Sequence, residues 1–447
     1  MFFFRKASQS IMIKIILGIL LSIMIGILSV LRETQILGII WSCLIIMLTI
    51  LIFFKFIADK TLVIILTTAL IIRVLLAYIN LFIFPLSPGD GDVFYISEIG
   101  GAFADFFSGK LEEAPETISG TYLFTLIVGV TYFLFGKISI VPQMIVILLS
   151  IGVIYFVYRI TLEISEDKRC ARIAAIISLV FPTYNLYASL LLRETFVSFF
   201  TVFSLYMFIL GWNRFKIIYI YISIFSLIIA SSAHSGVIFI GGAYALVLAF
   251  YDRKRDKWSF TQLHKIIITG ILIALTILIF GEQIASKLPT SGDSSAEVVN
   301  KHLENYATAR AAYLIDYQPA GIIDMFIQTP VRIFYFLFTP FPTMISNMSD
   351  VIAGLDACLY LVLTFYGFKG LQFLKNKNNA LFWIVLLSLL LALIVFSWGT
   401  SNYGAAIRHR QKIACIFIIL SSIGLTMKKK NIPNIDLVND EEGVLKR

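Results

Sequence analysis

The sequence predicts an all-α polytopic membrane protein, with about 12 transmembrane helices and further helices lying along the external membrane surface. Hydrophobic residues make up 59% of the 447 positions and charged residues 14%, whereas a soluble globular chain is nearer half apolar and a quarter charged. Apolar runs of roughly 17 to 25 residues, long enough to cross a bilayer, recur from position 11 to position 427. The mean hydropathy of +0.90 agrees with this class.

Twelve apolar runs are predicted to span the membrane. They are 11–31, 36–57, 61–84, 139–163, 171–190, 194–211, 216–232, 236–251, 263–281, 351–374, 380–397 and 408–427. Two shorter runs, 121–136 and 331–346, are interrupted by aromatic residues or prolines, and we expect them to be surface-lying or re-entrant. If they crossed the membrane, the side of every later loop would be reversed.

The basic clusters set the predicted orientation. With both termini inside, RKRDK at 253–257, DKRCAR at 167–172, KNK at 375–377 and KKK at 428–430 all fall on the cytoplasmic side, as expected for cytoplasmic loops. The segment before the first run, with Arg5 and Lys6, predicts a retained helix rather than a cleaved signal peptide. The prediction is a multi-pass protein of a bacterial plasma membrane whose polar site faces outside.

Several classes of function are disfavoured. The cytoplasmic loops are short and lack a phosphate-binding glycine loop, so an ATPase or a nucleotide-sugar domain is not indicated. The net charge of +9 comes without the basic, aromatic-interleaved face of a nucleic-acid groove. The four cysteines have no CxxC spacing, so neither a disulfide framework nor a metal knuckle is predicted.

Five regions are predicted along the chain. Residues 1–60 form two N-terminal transmembrane helices, and 61–281 form a core with an external loop at 85–138. Residues 282–350 form an external segment with re-entrant or surface helices, of which 282–330 is predicted to be non-helical. Residues 351–430 hold the last transmembrane helices, and 431–447 form a polar cytoplasmic tail.

The stretch Ser87–Tyr95 is the most unusual in the chain, because Asp90 and Asp92 lie among glycines and prolines where a long apolar run ends. Beyond it, AFADFFSGK reads as a short amphipathic helix on the membrane surface. A carboxylate at a membrane edge can act as a general base on a lipid-linked substrate. The alternative is a helix cap or an Asx-turn at a flexible bend.

Other polar groups on the predicted external side have similar alternatives. Arg193 and Glu194 open a helix and can be interface residues. His234 lies between two spans, where a hydrogen-bonded interface histidine is the simpler interpretation. Basic residues are usually enriched on the cytoplasmic side, but Arg408, His409 and Arg410 are predicted to be external. Such a group suits either phosphate binding or attraction to lipid headgroups. Weaker candidates of the same kind are Arg310 and Arg332.

One long stretch resembles a known family. The order of features from Arg73 through Phe208 is similar to the start of GT-C membrane glycosyltransferases, especially glycosyltransferase family 39 and its RgtA/B/C/D-like bacterial relatives. The matching segments are Arg73, DVFY at 92–95, GGAFADFFSG at 100–109, the run 120–136 ending in YFLFG, RITLEISEDKRCARIAA and FPTYNLYASLLLRET. Separately, NYGAAIRHR at 402–410, before the last predicted helix, resembles a motif of bacterial members. About a third of the chain is covered. The two additional N-terminal helices and Asp90-Gly-Asp92, where many relatives have Asp-Glu, depart from the family pattern.

The resemblance implies a GT-C-like fold and an inverting transfer of a sugar from a polyprenyl-phosphate donor to a glycan, lipid or protein acceptor. It makes Asp92 the preferred base, leaves Asp90 as the alternative base or helper, and makes Glu194 the second acid. The residues expected to bind substrate or lipid phosphate are Arg408, His409, Arg410, Arg193, His234, Arg310 and Tyr95. No nucleotide or other cofactor is implied, and a divalent cation on Asp90 and Asp92 stays open.

Two other functions remain open at this point. A polysaccharide polymerase or ligase acting on lipid-diphosphate-linked oligosaccharide would also need external arginines. A lipid-linked oligosaccharide flippase would need polar residues along a cavity at mid-membrane, whereas Arg73 is almost the only charge deep in a predicted span. The donor sugar, the acceptor and the oligomeric state are not indicated by the sequence.

Overall fold

A computed structural model describes residues 33–86, 90–118, 120–261 and 310–426, together with Ile267, Thr269–Ile271 and Ala274. The predicted spans 11–31 and 263–281 lie wholly or mostly outside these residues, as does the predicted tail. The described part is an α-helical membrane protein whose only regular strands are the short pair β1 (Tyr251–Asp252) and β2 (Lys257–Trp258).

Fourteen α-helices follow one another along the described residues. They are α1 (Glu33–Phe56), α2 (Lys60–Phe82), α3 (Asp90–Phe107), α4 (Tyr122–Phe135), α5 (Ile140–Ser165), α6 (Lys168–Val180), α7 (Pro182–Ala188), α8 (Arg193–Arg214), α9 (Ile217–Ala233), α10 (Ile238–Phe250), α11 (Ile322–Phe338), α12 (Met348–Lys377), α13 (Asn379–Trp398) and α14 (Tyr403–Thr426).

Six helices in the described part are long and apolar enough to cross a membrane, namely α1, α2, α5, α8, α12 and α13. The bent pair α6 and α7 would make a seventh span. Helices α9 and α10 are apolar but shorter, and α14 carries three basic side chains near its start. A multi-pass membrane protein is therefore confirmed, and the number of 12 spans stays a prediction.

The predicted span 171–190 is not one straight helix, because the chain bends by 65° between α6 and α7. That this bent pair crosses the membrane as one span stays a prediction. Phe181, the residue at the bend, has an extended backbone with φ −67° and ψ 113°. Pro182 lacks an N–H group and disfavours helical geometry at the residue before it, which explains the break.

Two further predictions are corrected at the polar loops. The segment 282–330 was predicted to be non-helical, but α11 begins at Ile322 and continues through Pro330 to Phe338. The short amphipathic helix expected after Gly101 is instead one helix of 18 residues that begins at Asp90. Asp90 and Asp92 therefore lie in the first turn of α3, where the helix dipole favours carboxylates.

Helix α14 is at the centre of the bundle and packs against α12, α8, α6 and α5. Small residues allow the closest approach, because a Cβ atom on Gly370 would overlap the carbonyl of Leu420, and one on Gly424 would overlap that of Tyr366. Small residues at crossings let membrane helices make tight backbone contact. A second apolar core joins α1, α2 and α6 to α5 through residues such as Leu66 and Met144.

The three basic clusters among the described residues, 167–172, 253–257 and 375–377, lie at one end of the bundle, which we call the basic end. Lys377 at the end of α12 donates to the carbonyls of Ile164 and Ser165 at the end of α5. Arg253, between β1 and β2, donates to the carbonyl of Asn213 at the end of α8. Helices α8 and α14 begin at the opposite end, which we call the site end.

Arg73 is fully buried within α2. Its guanidinium donates to Asn185 Oδ1 at 3.1 Å and to Ser150 Oγ at 2.7 Å. Its partners are thus side-chain oxygens of α7 and α5 rather than a carboxylate or a backbone carbonyl. Since these bonds join three helices, Arg73 has a structural role in the fold.

Asp59, in the loop between α1 and α2, gives a testable contribution to stability. Its carboxylate accepts two bonds of 3.0 Å from Arg172 and one of 2.8 Å from Tyr158. Burial alone would raise the pKa of Asp59, but the hydrogen bonds from Arg172 and Tyr158 outweigh it and hold this pKa below its ordinary value.

We expect Asp59→Asn to reduce the free energy of unfolding by about 1–3 kcal/mol at neutral pH, because it weakens bonds to a charged acceptor. A carboxyl whose pKa is lowered by folding stabilises the protein above its ordinary pKa of about 4 and loses that contribution as the pH falls. In thermal unfolding in detergent, the unfolding temperature of Asp59→Asn should therefore lie below that of the wild type at pH 7, and this difference should become smaller toward pH 3. The control is Asp167→Asn, since Asp167 caps α6 and asparagine caps equally well. A difference in unfolding temperature of the same size at pH 7 and at pH 3 would contradict the prediction.

Candidate active site at the end of the helix bundle

Four helix ends bring polar side chains together at the site end. The first turn of α3 carries Asp92, the first turn of α8 carries Arg193 and Glu194, and His234 directly follows the last residue of α9. The second turn of α14 carries Arg408 and His409. Helix termini suit this use because their polar groups can face a membrane edge while the apolar helix bodies pack below them.

Arg408 joins two carboxylates from distant parts of the chain. Its Nε and Nη2 atoms lie 2.8 and 2.6 Å from Glu194 Oε1, and its Nη1 atom forms an ion pair with Asp92 Oδ2. Asp92, one of the two acids predicted after the third span, and Arg408, the first cation of the predicted trio, therefore share one site. With one guanidinium between two carboxylates, these three groups together carry a formal charge of −1.

The two carboxylates have different environments. The Glu194 side chain is 2% exposed, whereas the Asp92 side chain is 50% exposed and that of Arg408 is 27% exposed. A buried carboxylate needs compensation by an opposite charge, and Arg408 provides it for Glu194. Asp92 lies at the solvent edge of the cluster, where a substrate could reach its carboxylate. Asp90 is in the same turn of α3, but its side chain lies outside the described residues.

A histidine pair lies beside this cluster. His234 Nε2 and His409 Nε2 are 3.2 Å apart, and His409 Nδ1 is 2.7 Å from Thr400 Oγ1. At the shared contact one ring must donate and the other accept, so the pair holds a single proton between the two nitrogens. The contact joins the residue that follows α9 to the second turn of α14 beside the ionic cluster.

Two contacts fasten the loop between α3 and α4 over this end. Arg193 Nη1 donates to the carbonyl oxygen of Gly120 at 2.7 Å, and the amide of Ile118 donates to Tyr95 Oη at 2.7 Å. Gly120 has a φ of +78°, and a Cβ there would lie 3.2 Å from both Arg193 Nη1 and the carbonyl oxygen of Ala233. Glycine thus permits this close approach. Tyr95 and Arg193 hold the loop with these contacts.

The other predicted cations lie apart from the cluster. Arg410 is fully buried and donates to the carbonyls of Leu337 and Thr339, the latter at 3.0 Å. Arg332 is also buried, with its guanidinium 4.3 Å from the ring centre of Trp398. Arg310 pairs with Asp350 at 2.7 and 3.0 Å, and hydrogen bonding to Asp350 raises the pKa of the Arg310 guanidinium.

Several residues at this end were not singled out by the sequence analysis. Buried Lys412 interacts electrostatically with Glu194, and buried Asp356 lies 3.9 Å from Arg410. Tyr187 is also buried, and its hydroxyl has no hydrogen-bond partner within the described part of the chain. Charges inside the apolar runs of α12 and α14 were a signal for the first two residues, because intramembrane ionisable residues are costly. Tyr187 had no such signal.

A metal site is not formed by the described side chains, since no group of three or more His, Cys, Asp or Glu residues among them could hold an ion. Asp92 instead has a guanidinium partner. A divalent cation on Asp90 and Asp92 stays a prediction, because Asp90 is not described at the side-chain level.

No protein-family model, curated protein or solved structure matches the chain. The fold and the site together define the class of the protein: a multi-pass helical membrane protein with an ionic cluster and a histidine pair at one end of its bundle. The assignment of a function rests on the chemistry of that cluster.

Proposed function

We propose that the protein is a membrane glycosyltransferase that moves a sugar from a polyprenyl-phosphate donor to an envelope acceptor, with inversion at the anomeric carbon. The observation that supports it is the half-exposed carboxylate of Asp92, held at the end of the bundle by an arginine that a buried glutamate anchors. A general base needs such an accessible and oriented carboxylate. The resemblance of the Arg73–Phe208 stretch to GT-C enzymes points to the same reaction.

In this reaction Asp92 accepts the proton of the acceptor hydroxyl while the hydroxyl oxygen attacks the anomeric carbon. The bond from that carbon to the phosphate oxygen breaks, and the lipid phosphate leaves with one additional negative charge. Arg408 orients the Asp92 carboxylate through their ion pair, a role that differs from the phosphate contact expected from the sequence. The shared proton of His234 and His409 and the guanidinium of Arg193 are available to stabilise the developing phosphate charge.

The orientation in the membrane is part of this proposal. The basic clusters lie at the opposite end of the bundle from Asp92, and basic loops favour the cytoplasmic side. The site would then open on the external face of the plasma membrane, where polyprenyl-phosphate sugars are available to envelope acceptors.

The side chain of Glu98 is exposed on α3. If α3 lies outside, the new thiol of the Glu98→Cys variant should react with a membrane-impermeant maleimide in intact cells.

The proposed function is tested with purified protein in lipid vesicles and radiolabelled donors. We expect transfer from polyprenyl-phosphate sugars to an envelope fraction, with α- and β-linked products distinguishing inversion from retention. Transfer from lipid-diphosphate-linked oligosaccharide alone would contradict the proposal and favour a polymerase or ligase. Movement of the labelled lipid between leaflets without formation of a new glycosidic bond would favour a flippase.

A further inference from the structure

A polar cleft lies beside the ionic cluster formed by Asp92, Glu194 and Arg408. It has a volume of about 210 Å³ and is formed by α7, residues 310–311, the start of α12 and the start of α14. Its polar lining residues are Thr183, Tyr187, Arg310, Asn347, Ser349, Asp350 and Tyr403. Gly404 and Ile407 of α14 also line it, and Arg408 is the next residue. The cleft and the ionic cluster therefore share one turn of α14.

Tyr187 gives the first indication that a ligand belongs in this cleft. Its side chain is fully buried, and among the described residues nothing hydrogen-bonds to its hydroxyl. Buried polar groups are almost always paired in folded proteins. Because Tyr187 lines the cleft, a hydroxylated ligand that displaces the side chains covering this hydroxyl would supply the absent partner.

The charges of the cleft restrict the ligand. Asp350 accepts two bonds from Arg310, two from Ser346 and one from Tyr403, so its oxygens are fully used. Arg310 and Asp350 cancel in formal charge, and a phosphate entering the cleft would find no net positive charge to offset its desolvation. A guanidinium has five N–H donors, and the bonds to Asp350 and Ser346 use three of them. The lining thus offers hydrogen bonds without net charge.

These contacts point to a neutral, polyhydroxylated ligand. Sugar hydroxyls both donate and accept, which matches the hydroxyl of Tyr187 and the remaining N–H groups of Arg310. The partly exposed side chains of Leu186 and Ile352, which also line the cleft, provide apolar surface for the C–H side of a sugar ring. We propose that the cleft is a sugar-binding subsite that holds the acceptor side of the transfer, an assignment that rests on the proposed function and reassigns Arg310 from phosphate to sugar.

The test is ligand binding without turnover. Saturation-transfer NMR on the purified full-length chain in detergent would use the methyl glycosides of glucose, galactose and N-acetylglucosamine, with inorganic phosphate as competitor. We expect at least one glycoside to bind, phosphate not to displace it, and Tyr187→Phe to weaken it about fivefold to tenfold through loss of one hydrogen bond. Tyr360→Phe is the matched control, because the Tyr360 hydroxyl is also buried and without a hydrogen-bond partner in the described chain but lies outside the cleft.

Three results would overturn the subsite: no binding of any of the three glycosides, displacement by phosphate, or equal affinity of the wild type and Tyr187→Phe. The unfolding temperature of Tyr187→Phe should be unchanged or higher, since the variant loses only an unpaired hydroxyl.

Asp92→Asn separates the two proposals, because it should retain glycoside binding while losing transfer. Normal transfer by Asp92→Asn with Tyr187-dependent binding would refute only the proposed mechanism. If Asp92→Asn loses transfer while Tyr187→Phe binds the glycosides as tightly as the wild type, only the subsite would be refuted.

Discussion

Asp92→Asn is expected to reduce sugar transfer about 100-fold or more, because a positioned general base contributes roughly two to four orders of magnitude to rate. The amide is nearly the same size as the carboxylate but cannot accept the proton of the acceptor hydroxyl. Since the Asp92 side chain is half exposed, its replacement should change the unfolding temperature little. Initial rates with a saturating polyprenyl-phosphate sugar in vesicles provide the measurement.

The chain offers a matched control for this variant. Glu98 is an exposed acid on the same helix α3, and Glu98→Gln should transfer sugar at the wild-type rate. Asp90→Asn addresses the alternative base in the same turn. A full rate for Asp92→Asn together with a large loss for Asp90→Asn would move the base to Asp90. If neither variant lost activity, carboxylate base catalysis at this turn would be ruled out.

Arg408→Gln is expected to destabilise the protein by about 3 kcal/mol, the lower end of the cost of breaking a buried ion pair. Glu194 would keep a buried charge without the guanidinium that donates two hydrogen bonds to its Oε1, although Lys412 still interacts with it electrostatically. Transfer should fall as well, because Asp92 loses the group that orients it. Thermal unfolding in detergent measures the first effect, and donor turnover measures the second.

The double variant Glu194→Gln with Arg408→Gln distinguishes stability from catalysis. Removal of both charges leaves no uncompensated carboxylate, so it should recover much of the lost stability. It should not recover transfer, since Asp92 is still without its guanidinium. A double variant as unstable as the sum of both single changes would show that Arg408 and Glu194 do not act as a pair.

The helical core was largely predictable from residue pattern. The long apolar runs at 61–84, 139–163, 194–211, 351–374 and 380–397 correspond to helices within a few residues, because a backbone in lipid must satisfy its hydrogen bonds locally. The bend at Pro182 was missed because apolar composition continues through it. The start of α11 at Ile322 was missed because the stretch before Pro330 is only partly apolar.

The polar site was predictable only as a set of candidate residues. Arg408, His409 and Arg410 were grouped as one cationic cluster because they are consecutive. On a helix, neighbouring residues differ by about 100° in direction, so Arg408 meets the carboxylates, His409 meets His234, and Arg410 enters the core toward the carbonyls of α11 and Thr339. The division of roles within the trio is therefore a consequence of packing.

By itself, the sequence determined that the chain is a multi-pass helical membrane protein with polar residues gathered beside particular helix ends, because hydrophobic length and charge are local properties. Only the tertiary structure decided that Arg408 lies between Asp92 and Glu194 and that Tyr187 lines a separate cleft with Arg310. These contacts join positions far apart in the chain. They depend on the order in which the helices pack, and no local pattern encodes that order.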